Sequence, residues 1–175
     1  MANPPQTDQR PRNRALMAAV ESGDIPRFAD LVAEDPTVLH MMTPWGTWLH
    51  VAASAGQWLM AEYLLQRGLD INTRGGTFGG NALNVAASSG RLIVVRNLLA
   101  SGGYLDTSEP ERNPLFGAIF GGHKDVVELL LESGIDAAVR YTGQFMKNMD
   151  AVAFADERGQ QEIAALIRSR LEAKQ

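Results

Sequence analysis

A chain of 175 residues with net charge -4 and no cysteine has room for one domain or one short repeat array, and it excludes two large domains, a disulfide framework and a thiolate metal site. Hydrophobic residues make up 45% and charged residues 21%, the balance of a folded chain, and no Lys/Arg cluster exceeds the scattered arginines of QRPRNR at 9–14, which excludes nucleic acid as the main partner. No run approaches the roughly 18 apolar residues of a membrane span and the N-terminus has no apolar signal core, so a cytoplasmic protein without a membrane partner is expected.

Residues 1–12 are polar, with two adjacent prolines, and are expected to form a flexible leader. From 13 to 175 one pattern recurs. Its frame is Gly23, Gly56, Gly90, Gly122 and Gly159, spaced by 33, 34, 32 and 37 residues, so self-similarity decides the fold before any single motif does. Four residues before each glycine stands Ala19, Ala52, Ala86, Ala118 or Ala155, and seven before stands Leu16, Leu49, Leu83, Leu115 or Val152. These two positions share one face of a helix. After the glycine a second apolar set follows, Met60 and Leu64, Val94 and Leu98, Val126 and Leu130, Ile163 and Ile167, which predicts a second amphipathic helix. Thr47, Asn81, Asn113 and Asp150 stand where they can cap the first helices, Pro114 takes a first helical turn, and Gly68, Gly102 and Gly134 stand where the second helices end.

GHKDVVELLLESGID (122–136) and GTWLHVAASAG (46–56) resemble the ankyrin repeat, whose signature reads Thr-Pro-Leu-His followed by Ala-Ala and Gly. The resemblance covers about residues 13–171. It implies an all-α solenoid of about five helix-turn-helix pairs joined by hairpin-like fingers, with the first and last units as caps. Arg27 and Asp156, polar where inner units are apolar, suit such caps. Trp48 and Ala82 depart from the usual proline, and only the second unit keeps the signature histidine, His50. The family's histidine is a buried hydrogen-bonding residue, and His123 is likewise structural by resemblance.

The resemblance further implies that a partner protein is bound by the residues just before the shared glycines and by the fingers. The first finger, TPWGTW, offers Trp45 and Trp48; because Trp48 stands in the proline place and is partly assigned to the core, Trp45 is the stronger candidate. The second, RGGTFGGN, offers Arg74, Thr77 and Phe78 at a tip held by glycine pairs. Small residues before the third glycine, Ser88 and Ser89, allow close approach, and Phe120 is an aromatic at the corresponding place. The third finger contributes Glu109, Glu111 and Arg112. The longest, IDAAVRYTGQFMKNMD at 135–150, contributes Arg140, Tyr141, Phe145 and Lys147. Loops carrying aromatic, methionine and arginine residues are where interface anchors concentrate. For Phe120 a local plug is an equal alternative, and for Tyr141 and Phe145 so is folding back over the last unit.

Chemistry is looked for along the same chain and not found. RGGTFGGN lacks the lysine and hydroxyl of a phosphate loop, its glycines are paired, and no strand precedes it. His40, His50 and His123 have no partner at metal-ligand spacing, and Glu128 and Glu132 read as a solvated helix face. No catalytic, cofactor or metal residue is therefore assigned. The expected function is non-enzymatic binding of a protein, by a chain that is monomeric when free. Small stand-alone ankyrin proteins of bacteria include immunity proteins that neutralise secreted toxins, and the resemblance extends to that role. The contrasting classes are a small-ligand protein using the glycine-rich finger and a purely architectural scaffold.

Overall fold

A computed structural model describes residues 10–143 and 146–173. Its regular elements are α1 (Arg10–Ser22), α2 (Ile25–Glu34), a short 3-10 helix (Pro36–His40), α3 (Trp48–Ala55), α4 (Trp58–Gln66), α5 (Ala82–Ser88), α6 (Leu92–Ala100), α7 (Pro114–Gly121), α8 (Lys124–Glu132), α9 (Ala151–Glu157) and α10 (Gln161–Glu172). These form five helix-turn-helix pairs, stacked so that α1, α3, α5, α7 and α9 pack in sequence.

The alanine-to-glycine spacing has a backbone cause. Each shared glycine adopts positive φ, from 67° at Gly90 to 80° at Gly56. The N–H of the next residue then turns back to the alanine carbonyl: Gln57 to Ala52 and Arg91 to Ala86 at 2.9 Å, Gln160 to Ala155 at 2.8 Å. That closure satisfies a carbonyl the helix end leaves open. The alanine serves twice, since Ala52, Ala86, Ala118 and Ala155 are fully buried between first helices. The caps act at the other end: Asn81 Oδ1 accepts from the Asn84 N–H at 3.0 Å, Asn113 Oδ1 from Leu115 at 2.9 Å and Asp150 Oδ1 from Ala153 at 2.9 Å.

The core runs the length of the stack through Leu16, Leu49, Leu83 and Leu115 on one side and Met60, Val94, Val126 and Ile163 on the other. Val152, at the same register in the last unit, is only half-buried. Helix α1 begins at Arg10, inside the stretch expected as leader. Arg12 explains the extension: one guanidinium nitrogen donates to the Leu31 carbonyl at 2.6 Å and another lies 3.3 Å from Asp35. The rest of the expected leader, residues 1–9, lies outside the described residues.

The fingers are tied to one another in order. His50 Nε2 lies 3.1 Å from the Gly80 carbonyl, joining the first finger to the second. A carbonyl only accepts, so Nε2 carries the proton; Nδ1 then accepts from the Thr47 N–H at 3.2 Å and the Thr47 hydroxyl at 2.8 Å. Arg74 meets Asp106 at 2.7 Å, and the Tyr104 N–H donates to Asn72 Oδ1 at 2.8 Å, joining second to third. The Tyr141 hydroxyl donates to the Thr107 carbonyl at 2.7 Å and accepts from Asn113 Nδ2 at 2.9 Å, joining third to fourth.

Candidate protein-binding surface

Short first helices with small pre-glycine residues leave the finger side of the stack hollow. Between the first two fingers lies a groove of about 500 Å³ bordered by Trp45, Ser54, Gly76, Phe78 and Ser88. Beyond Phe78 a second hollow of about 280 Å³ is walled by Phe116, Phe120, Met146 and Phe154. Phe78 borders both, and they form one trough with an aromatic ridge. Three rings stand out from it: Trp45 is 62% exposed, Phe78 67% and Phe120 60%. Arg158 lies over the Phe120 ring at 4.2 Å, which steadies the ring on one face and leaves the other open.

Thr77, Ser88, Glu109, Glu111 and Lys147 are exposed and Ser89 is half-buried. The Ser89 hydroxyl lies 3.3 Å from that of Ser54, bridging neighbouring units along the trough floor.

Other sequence candidates are taken up by the fold. Trp48 is fully buried, its indole N–H donating to the Val38 carbonyl at 2.7 Å and its ring edge-on to Phe28 at 5.8 Å, so it is not a partner contact. Tyr141 is buried as well, 5.0 Å from Phe116 and edge-on to it. Burial pushes its hydroxyl above the usual tyrosine range, and the side chain is a brace. Tyr141→Phe is expected to cost about 1–3 kcal/mol, read as a fall in the denaturation midpoint, because Asn113 and Thr107 each lose a buried partner.

The arginines are engaged too. Arg74 is held by Asp106, Arg112 by Glu109 at 3.8 Å, and Arg140 by Asp150 at 2.6 Å and the Asn148 carbonyl at 3.0 Å. Burial alone would raise the Asp106 carboxyl; the hydroxyl and N–H of Ser108, with Arg74, outweigh it and hold the group below its ordinary range. Phe145 lies outside the described residues.

The glycine-rich finger closes on itself. The Gly75 N–H donates to the Gly80 carbonyl at 2.9 Å and the Gly79 N–H to Gly76 at 3.3 Å. A phosphate cradle needs such N–H groups pointing together at a ligand, and here two are spent within the hairpin. Gly76 also lies under the first finger: a Cβ there would sit 2.9 Å from the Trp45 carbonyl. The glycines thus serve close packing between fingers as well as turn geometry.

Several surface residues escaped the sequence reading. Met42 is exposed at the base of the first finger, and Leu59 and Ile93 are exposed on α4 and α6, on the opposite side of the stack. The last two are legible in hindsight as apolar residues three after the shared glycine, where the helix pattern asks for none. No helix among the described residues is long and apolar enough to cross a membrane.

Residues 49–141 match the family model of ankyrin repeats, in three copies. The chain is 32% identical over 103 residues to the mouse protein fem-1 homolog A-like, a stretch covering 58% of this chain and 16% of that protein. It is 28% identical over 122 residues to a Caenorhabditis elegans transient receptor potential cation channel subfamily A member 1 homolog, covering 69% of this chain and 10% of that one. The matched stretch is thus a small part of each of these relatives.

Proposed function

Since residues 49–141 carry that match, the chain belongs to the ankyrin-repeat family, and we propose that it is a non-enzymatic module of the cytoplasm, monomeric when free, that binds a partner protein through the trough and finger tips. One observation carries the reading: Trp45, Phe78 and Phe120 are large, exposed and ranged along one trough, whereas Trp48 and Tyr141 are buried. Exposed aromatic rings beside hollows lined with small residues are how interface anchors are displayed. The paired arginines contribute rigidity, so the affinity is assigned to the rings.

The test is a partner recovered by pull-down, purified and titrated against the chain by calorimetry. Phe78→Ala is expected to weaken binding about 10- to 100-fold, and Trp45→Ala and Phe120→Ala about 10-fold, while Leu59→Ala on the opposite side leaves it unaltered. None of the three ring changes should move the denaturation midpoint by more than a degree or two, because the rings are solvent-exposed. Unchanged affinity in all three would place the interface elsewhere. The finer role, neutralising a toxin, draws on the resemblance to immunity proteins alone. It requires that the partner be toxic by itself and that an equimolar amount of this chain suppress the toxicity.

A further inference from the structure

Two buried side-chain polar atoms among the described residues lack a hydrogen-bond partner, Arg12 Nε and Asn84 Nδ2. Arg12 uses its other nitrogens on Leu31 and Asp35. Asn84 is different. It is 4% exposed and holds in α5 the place that His50 holds in α3, three residues after the cap. His50 is long enough to reach the next finger's carbonyl; the shorter Asn84 is not, and its amide stays unpaired. Leaving a buried donor unmatched is costly.

Asn84 borders both hollows, beside Phe78 and Ser88. Its Oδ1 end faces Gly80, where a Cβ would approach to 2.5 Å, and Gly80 is itself on the groove wall. As the side chain stands Nδ2 is enclosed; the two ends of a carboxamide are close in size, so a half-turn about χ2 carries the NH2 to the end that faces Gly80 and sets the oxygen in the enclosed place. The hollow past Phe78 is walled chiefly by rings, with Glu111 and the stacked Arg158 as its charged neighbours. An ionised ligand group would be desolvated there against opposing charges; a neutral carbonyl meets the unpaired amide without that cost.

We infer that Asn84 is a specificity residue of the trough, whose amide donates to a main-chain carbonyl of a partner segment while that segment's neighbouring apolar side chain enters the hollow between Phe78 and Phe120. The inference rests on the proposed binding face and adds the chemistry it selects: an extended, locally uncharged stretch of polypeptide. Toluene and N-acetyl-phenylalanine methylamide, titrated separately into the full ¹⁵N-labelled chain, separate the two levels. Both ligands should shift the backbone signals of Phe78 and Phe120, and only the capped amino acid should shift the Asn84 side-chain NH2 pair. Asn84→Leu should weaken the capped amino acid about 5- to 10-fold, leave toluene unaltered, and melt at or above the wild-type temperature. The wild-type titration stands without the variant. Backbone shifts with a static Asn84 amide would overturn the inference and leave the binding face in place. No trough shift with either ligand would overturn both.

Discussion

Trp48→Ala is expected to remove about 4 kcal/mol of stability, in the range for deleting a fully buried indole. The ring is completely enclosed, meets Phe28 edge-on at 5.8 Å, and gives its N–H to the Val38 carbonyl at 2.7 Å. Phe28 meets Tyr63 in turn at 6.4 Å, so the indole is the wedge that holds the first helix pair to the second. Stability in a repeat stack is a sum of unit and neighbour terms, and the loss should therefore be local. Hydrogen exchange should show residues 25–40 losing protection while α7 and α8 keep theirs. Trp48→Phe should cost less, about 1–2 kcal/mol, because most of the volume stays and chiefly the indole hydrogen bond is lost, the Val38 carbonyl keeping the Met41 N–H. A loss under about 1 kcal/mol for Trp48→Ala would show that the first pair docks by other means.

Trp48 also marks the boundary of what the sequence reveals. The glycine frame is legible because positive φ and the return hydrogen bond to alanine are demands few residues can meet, and every unit makes them. The helix faces are legible because burial recurs at fixed intervals. Fingers have no such periodicity. An aromatic there is a brace or an anchor according to which neighbouring finger it lands on, and that is set by contacts 28 to 34 residues away, as between Tyr141 and both Asn113 and Thr107. Tyr141 and Phe78 belong to the same class by composition; the hydroxyl and its two partners separate them. Arginine has the same ambiguity. In space Arg74 ties the second finger to the third through Asp106, whereas Arg140 is paired inside its own finger with Asp150, and both side chains stay more than half exposed.

The aromatic ridge itself was half legible. Trp45, Phe78 and Phe120 could each be singled out from finger and pre-glycine positions, yet nothing in the sequence states that Phe78 divides one trough into two hollows. Phe120 stands two residues before its shared glycine and Arg158 one residue before the next, and only the stacking of units brings these two positions into contact. Asn84 was hidden for the opposite reason. It sits in a helix whose cap and core positions are all accounted for, and its missing hydrogen bond exists only relative to the histidine at the same place in the preceding unit.

His50→Ala is expected to cost about 3 kcal/mol and to weaken partner binding although the side chain is buried. The imidazole is buried and makes contact at both nitrogens: Nδ1 accepts from Thr47, and Nε2 donates to the Gly80 carbonyl at 3.1 Å. Removing it leaves a cavity and a Thr47 N–H without its partner, takes one of two donors from the Gly80 carbonyl, which keeps the Gly75 N–H, and unties the first finger from the second. Trp45 and Phe78 stand on those two fingers, so their spacing across the groove should loosen and affinity should fall even where the chain remains folded. The same site gives a pH dependence of defined sign. Burial, partly opposed by the Gly80 hydrogen bond, holds the imidazole below its ordinary value near 6.5. The folded state therefore resists the proton, and a proton on Nδ1 would also face the Thr47 donors. Stability from this group is complete above about pH 6.5 and is lost as pH falls through the lower folded value. Asp35 and Asp106, both held below 3.8, act only at still lower pH, which leaves the range from 7 to 5 to histidine. Wild-type midpoints should decline across it more steeply than those of His50→Gln, and matching slopes would show that His50 does not govern the acid sensitivity of the fingers.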